Sequence, residues 1–508
     1  MIYQEVQSGI VSGVTGHLIH VEVEIRNGLP YFTMVGYLSK EAAEARERVA
    51  SALRSIGHPL PSMKITVNLS PANIRKSGTA FDFPIAVAFL ACLGLIPSDQ
   101  LHNFCVLGEL GLNGRIHGVG NCLPIILEAR KQGIKKFFVA EDDRDSLDSI
   151  EGIEIFYMKT LENVIDFFHG KLKKNHFKRK IEWENREYPE DYIDIKGQEH
   201  LKRAIEIAVT GKHHMLIAGS PGSGKTMAVK RIPSILYPLT DDERLEVQSI
   251  YDATGVPRNI MDTDRPFRIP HSSISKAAFT GGGKNPKAGE ITLAHLGILF
   301  LDEMMDFRTE CLEALKQPLE DNEIIMNRLG KNYIFPADFQ LIGIMNPCPC
   351  GYGLEEGKCR CSYYEKRRYL KKLSGPLLDR FDMILSAVEE KTAIEINQSE
   401  SSKTIKNRII ENVNKEKQLL RKTGYSFFSE IKAFDMKKLC NISKDGEALI
   451  CNIYKDGKIS KRGVDKIKKL SMTIALMDDQ EQIQPYHIIE ALSYRNDSFL
   501  KEVLGDDR

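Results

Sequence analysis

Gly219-Ser220-Pro221-Gly222-Ser223-Gly224-Lys225-Thr226 is a complete G-x-x-x-x-G-K-[ST] loop. Such glycines let backbone N–H groups wrap an oxyanion, and a helix starting at the lysine turns its positive dipole end toward phosphates. Lys225 can then reach the β- and γ-phosphates, and the Thr226 hydroxyl can hold Mg²⁺. The apolar run Met215-Leu216-Ile217-Ala218 before the loop reads as a buried strand, the context the motif requires. Further on, Gly297-Ile298-Leu299-Phe300-Leu301-Asp302-Glu303 is an apolar strand ending in two carboxylates. Asp302 is placed to share Mg²⁺ with Thr226, and Glu303 to polarise an attacking water. Alone, such a strand is a weak signal; downstream of a complete phosphate loop it points to hydrolysis of a nucleoside triphosphate.

A second cluster is made of sulfur. Cys348-Pro349-Cys350 and Cys359-Arg360-Cys361 are two C-x-C pairs bracketing a loop that begins Gly351-Tyr352-Gly353. Four thiolates at this spacing can close a tetrahedral Zn²⁺ site, although C-x-C is tighter than the usual C-x₂₋₄-C; unliganded or redox-active thiols are the alternative. Arg360, Tyr363, Tyr364 and Lys366-Arg367-Arg368-Tyr369 flank the cluster. Basic residues interleaved with aromatics suit DNA backbone pairing and base stacking. An exposed basic helix accounts for the same charges.

The elements that must position these groups are legible in outline. At 508 residues with 27% charged and 42% hydrophobic composition, two or three soluble domains are expected. A net charge of +1 gives no global pull toward nucleic acid, so any such binding must be local. Ten cysteines, four crowded into 348–361, do not resemble a secreted disulfide framework. No 18-residue apolar run and no signal peptide are evident, so a cytoplasmic protein without membrane contact is expected.

Residues 1–170 read as an α+β domain. His20-Val21-Glu22-Val23-Glu24-Ile25 alternates like a half-buried strand, 41–56 has helical periodicity, 65–69 is a strand and 83–93 a strongly apolar helix. A strand at 104–107, a Gly-rich turn, a helix at 123–132 and a strand at 136–139 follow. Residues 171–190, opening Lys171-Leu172-Lys173-Lys174, form a basic linker: a solvated hinge or a DNA-backbone contact. The ATPase core is expected over 191–390. Within it Leu341-Ile342-Gly343-Ile344-Met345-Asn346 is a third apolar strand ending in an amide, and 324–335 reads as a hairpin with Arg328, Gly330 and Lys331 near its tip. Residues 391–508 read as a helical bundle, with an amphipathic helix opening at Lys461-Arg462-Gly463. His487 and Tyr494-Arg495 are assigned to packing.

Several of these stretches resemble known families. Gly108-Glu109-Leu110, with Leu112, Gly114 and Ile116, resembles the Lon-protease-type fold of the ribosomal S5 superfamily. Laid on that pattern, the nucleophile position falls near Ala80 and the lysine position on Leu123. Ser77 and Thr79 lack a base and read as turn residues, so the resemblance implies the fold without peptidase chemistry. Asp194-Ile195-Lys196-Gly197-Gln198, His213-His214, Leu293-Ala294-His295-Leu296-Gly297, Asn346-Pro347-Cys348-Pro349-Cys350-Gly351 and Leu377-Leu378-Asp379-Arg380 together resemble the YifB/ComM family of magnesium-chelatase-like AAA+ ATPases. The likeness covers essentially the whole chain. It implies an AAA+ core with a helix-2 insert, matched here by 258–289, and a C-terminal helical lid. It gives Asn346 the role of sensor 1, Arg380 that of a finger reaching the neighbouring subunit's γ-phosphate, and Arg462 that of sensor 2, in cis or in trans. Gly463 departs from the family's usual Ala.

The resemblance further implies a hexameric ring using Mg²⁺ and ATP and, for the family's competence members, DNA branch migration during natural transformation alongside recombination proteins. Lys284, Arg328, Lys331 and Arg360 are the expected DNA contacts; for Lys284 and Lys331 ordinary solvated turn charge is the alternative. The expected function is therefore a DNA helicase or translocase driven by ATP hydrolysis. A chelatase-type motor remodelling a protein partner is the first alternative. An ATP-dependent protease and a nucleotide-switched scaffold are weaker ones.

Overall fold

Alternation of polar and apolar residues shapes the front of the chain. The computed structural model describes residues 1–147, 150–172, 188–283, 286–328, 331–355, 357–387, 399–456, 459–495 and 500. Most of the basic linker, Lys284, Gly330 and the boundary expected at 390 lie outside them. The chain divides into two compact units: residues 1–184 with 240–262, and residues 185–239 with 263–508.

The first unit holds strands β1 (Ile2–Ser12), β2 (Thr15–Arg26), β3 (Tyr31–Val35), β4 (Lys64–Ser70), β5 (Phe104–Leu107), the short pair β6 (Glu109–Leu110) and β7 (Ile116–His117), then β8 (Lys136–Ala140) and β9 (Glu154–Met158). Seven of them form one mixed sheet in the order β3-β4-β2-β1-β5-β8-β9. In β2 the residues Ile19, Val21, Val23 and Ile25 all turn inward, as their period of two demands. The helix Asp82–Cys92 is apolar on every side and is buried throughout. Its one carboxylate, Asp82, is matched by the Arg48 guanidinium, whose Nη2 donates to Oδ1 at 3.1 Å. The stretch expected as a Gly-rich turn is the antiparallel pair β6–β7. Ser77 and Thr79 lie in irregular chain between β4 and that helix, as turn residues should.

The expected boundaries drew the ATPase core as unbroken from 191 to 390. Within that span, residues 240–262 pack with the first unit. Leu245 and Ile260 join a core with Leu123, Ile126 and Phe137. Asp252 accepts a hydrogen bond from the Leu123 amide at 3.2 Å, at the start of the helix Cys122–Lys131. The first-turn amides of a helix have no partner within the helix itself, so a carboxylate at its start is favourable.

The second unit carries β10 (Met215–Gly219), β11 (Phe267–Arg268), the short pair β12 (Gly281–Gly282) and β13 (Lys287–Ala288), β14 (Ile298–Leu301), the hairpin β15 (Glu323–Arg328) and β16 (Lys331–Pro336), β17 (Gln340–Met345) and β18 (Met383–Ala387). Five strands form a parallel sheet in the order β11-β14-β17-β10-β18. Their continuous apolar runs suit a sheet covered on both faces. The helices Ser402–Leu420, Lys461–Met477 and Pro485–Ser493 share a single hydrophobic core with this sheet. Ser401, Ser443 and Ser460 cap helices in this region by accepting a backbone N–H of the first turn.

Candidate nucleotide-binding site

Three neighbouring strands of the parallel sheet, β14, β17 and β10, end at the same edge. Leu301 lies opposite Gly343 and Ala218 opposite Met345, so Asp302, Asn346 and the phosphate loop all emerge there. The carboxyl ends of strands in open α/β sheets are where ligands bind. A cleft of about 340 Å³ opens at this edge, lined by Pro221–Met227 together with Asp302, Glu303, Asn346 and Tyr369.

The loop turns into the helix Lys225–Lys230 through Gly224, whose φ of +79° favours glycine. Lys225 Nζ donates to the carbonyls of Gly219 at 2.8 Å and Ser220 at 2.6 Å and to Ser223 Oγ at 3.0 Å. Ser223 Oγ in turn donates to the Ser220 carbonyl at 2.9 Å. Burial pushes the Lys225 ammonium down to about 8, against the opposing pull of Asp302. A phosphate anion in the loop would supply the countercharge that this desolvated ammonium lacks.

Thr226 Oγ1 donates to Asp302 Oδ1 at 3.3 Å. A hydroxyl and a carboxylate oxygen side by side are the hard donors that Mg²⁺ selects, so the residues present fit that ion. Asp302 Oδ1 also accepts the Glu303 amide at 3.1 Å. Glu303 itself has φ +50° and ψ +48°, a left-handed conformation unusual for a non-glycine residue and a form of strain that gathers at functional sites. Glu303 lines the cleft from this turn.

Sequence reasoning placed Lys225, Thr226, Asp302, Glu303 and Asn346 on one site, and the structure brings all five to one cleft. It does not bring Arg380 or Arg462 there. Arg380 Nη2 donates to Glu320, and Arg462 Nη1 lies 3.6 Å from Asp379 Oδ2 with its side chain 75% exposed. Both arginines thus pair with carboxylates away from their own cleft. Lys466, one turn along the helix from Arg462, donates to the carbonyls of Asp379 at 2.6 Å and Phe381 at 2.7 Å. Arg495 donates to the Asp382 carbonyl at 2.8 Å and the Phe381 carbonyl at 3.2 Å. Arg495, assigned to packing from sequence, therefore holds the segment that presents Arg380; its guanidinium supplies donors that a packing role would not need.

Tyr369 is a further correction. Grouped with the basic and aromatic residues around the cysteines, it instead lines the cleft. Burial, with Asp306, Cys348 and Glu303 nearby, raises its phenol well above the ordinary tyrosine range. Tyr363 and Tyr364 remain exposed. No local pattern marks Tyr369, because only the position of its helix carries it inward.

The cysteine cluster lies beside this site. Cys348 Sγ is 3.3 Å from Cys350 Sγ and 3.7 Å from Cys359 Sγ, and the four sulfurs lie within 4.8 Å of one another. A tetrahedral zinc with Zn–S of about 2.3 Å spaces its sulfurs about 3.8 Å apart, so the donor set fits Zn²⁺. Of the expected DNA contacts, Arg328 and Lys331 face one another across the β15–β16 hairpin, Arg360 sits between two of the cysteines, and Lys284 lies outside the described residues. Among the described residues no helix is long and apolar enough to cross a membrane.

Residues 191–396 match the family described as magnesium chelatase, subunit ChlI. Residues 21–143 match one described as subunit ChlI of Mg-chelatase, and 399–495 its C-terminal part. The chain is 36% identical over 492 residues to the uncharacterised protein YifB of Escherichia coli, an alignment covering 95% of each. It is also 36% identical over 488 residues to the competence protein ComM of Haemophilus influenzae, again covering 95% of each.

Proposed function

The chain belongs to the YifB/ComM family of magnesium-chelatase-like proteins of the AAA+ ATPase type, and on that premise we propose that it is a hexameric, ATP-hydrolysing motor acting on DNA in the cytoplasm. The observation that carries the reading is the meeting of Lys225, the Thr226–Asp302 pair, Glu303 and Asn346 in one cleft. Lys225 and the loop amides hold the phosphates. Thr226 and Asp302 would hold the Mg²⁺ that accompanies ATP, which would offset phosphate charge. Glu303 accepts a proton from the attacking water, and Asn346 orients it. Arg380 and Arg462, displaced from their own cleft, serve the cleft of a neighbouring subunit.

The domain reading follows the same premise: a Lon-like, non-proteolytic front domain over 1–170, a linker over 171–190, an AAA+ core over 191–390 whose 258–289 stretch is a helix-2 insert, and a lid over 391–508. Four thiolates, Cys348, Cys350, Cys359 and Cys361, hold a structural Zn²⁺. A track of branched or single-stranded DNA, as in branch migration, is supported by the relative named a competence protein and by Arg328 and Lys331 at the hairpin end. Lys284 and Arg360 complete the proposed DNA contacts.

The test is the steady-state ATPase rate with and without forked and single-stranded DNA, with Glu303→Gln as control. Several-fold stimulation abolished by Glu303→Gln is expected. A rate indifferent to DNA but still dependent on Glu303 would turn the reading toward remodelling of a protein partner.

A further inference from the structure

The cysteine cluster touches the phosphate loop. Gly351, next in sequence to Cys350, has φ +87°, and a Cβ built there would lie 2.7 Å from Pro221 Cδ and 2.8 Å from Pro221 Cγ. Only a glycine therefore permits this closeness of backbone to the loop. Gly351 is also tied to the cluster by its amide, which donates to the Cys348 carbonyl at 3.0 Å.

A second connection starts at the other C-x-C pair. Ser362, adjacent to Cys361, caps the helix Tyr363–Leu370: its Oγ accepts the Glu365 amide at 3.3 Å, and the Glu365 carboxylate accepts the Ser362 amide at 2.8 Å. Cluster and helix start are thus one rigid piece. Two turns along, the helix delivers Tyr369 into the cleft beside Glu303. Just past its end, Lys372 Nζ donates to the Met305 carbonyl at 2.8 Å, two residues after Glu303.

The sulfurs of Cys348, Cys350 and Cys359 lie 3.3 to 3.7 Å apart and all four, with Cys361, lie within 4.8 Å of one another; carried by a loop with little regular structure, they need a reason to stay together. A bound Zn²⁺ provides it, since structural zinc supplies folding free energy to the segment that ligates it. We propose that zinc in the Cys348–Cys350–Cys359–Cys361 site braces the nucleotide cleft, through Gly351 on Pro221 and through Tyr369, so that zinc occupancy sets nucleotide affinity. This rests on reading the cleft as a nucleotide site and the cluster as a zinc site, and the experiment separates the three claims.

The full-length protein, purified without chelator, is assayed for zinc by atomic emission and for binding of a fluorescent ADP analogue with Mg²⁺. One zinc per chain and saturable binding are expected; absence of zinc overturns the metal site, and absence of binding overturns the nucleotide site instead. Cys350→Ser is expected to lose zinc and to weaken nucleotide binding about tenfold, the scale of a displaced loop contact. Gly351→Ala is expected to keep its zinc yet weaken binding comparably, since its methyl group presses on Pro221. Far-UV circular dichroism confirms folding. Where Cys350→Ser does not fold, zinc is stripped from the wild-type protein with a chelator and restored with Zn²⁺; affinity that falls and recovers supports the coupling. Affinity unchanged by zinc loss, in the variant or through the strip-and-restore cycle, overturns it.

Discussion

Lys225 shows how a single residue's surroundings set a measurable pH limit. Its ammonium titrates near 8 because burial disfavours the charge more than Asp302 restores it. Phosphate binding draws on the cation, so the nucleotide Kd is expected to stay flat below about pH 7. It should rise by up to tenfold per pH unit above about pH 8, where the free site loses its proton. Fluorescent-ADP titrations from pH 6.5 to 9.5 check this. Lys225→Arg, whose guanidinium does not titrate in that range, should bind more weakly overall but with no break near pH 8. A break that persists in Lys225→Arg would assign the titration to another group. The identity of Lys225, Thr226, Asp302 and Glu303 was legible in the sequence because each sits within a few residues of a strand end, and local spacing alone fixes its place. Tyr369 was not legible, because its position depends on how a helix after the cysteines is docked.

The elements that carry the site respond to acid in a defined direction. His214 stands just before β10, its Nδ1 accepting the Leu341 amide of β17 at 3.1 Å and its own amide donating to Asp382 Oδ2 at 3.1 Å. Burial lowers the imidazole to about 4 from 6.5. Between those values the unfolded chain takes up a proton that the folded unit excludes, so stability is lost as pH falls from 6.5 toward 4. The Tm of the second unit should therefore drop across this window, and His214→Gln should flatten the drop; an equal slope in the variant would remove His214 as its source. The β15–β16 hairpin makes a separate prediction. Lys331→Ala is expected to reduce stimulation by single-stranded DNA and to lower the magnitude of the slope of log affinity against log salt by about 0.7, as loss of one phosphate contact does. The hairpin and three of the five parallel strands, β10, β14 and β17, were visible as apolar runs, whereas β11 and β18 were not. The departure of 240–262 into the first unit was not, because its amphipathic helix has the same pattern whichever core it joins.

At the scale of the whole molecule, the informative feature is where the two arginines are not. Arg380 pairs with Glu320 and Arg462 with Asp379, and Lys466 and Arg495 hold the backbone carbonyls on either side of Arg380, yet neither arginine lines the cleft formed by its own phosphate loop. Placed away from their own cleft, Arg462 exposed and Arg380 on a braced segment, they suit a head-to-tail contact in which each subunit completes the next one's site, the arrangement that closes into a ring. This can be decided without a structure of the assembly. Lys225→Ala removes the phosphate grip but leaves the arginine; Arg380→Ala does the reverse, and each alone should be nearly inactive. If Arg380 acts on a neighbour, mixing the two variants creates sites where an intact loop faces an intact arginine. With random one-to-one mixing that is about a quarter of the interfaces, so about a quarter of wild-type ATPase should return. If Arg380 acts within its own subunit, every site in the mixture still lacks one partner and no activity returns. The same mixing with Arg462→Ala in place of Arg380→Ala then assigns the second arginine, since restored activity requires that it too reach across to the neighbouring cleft.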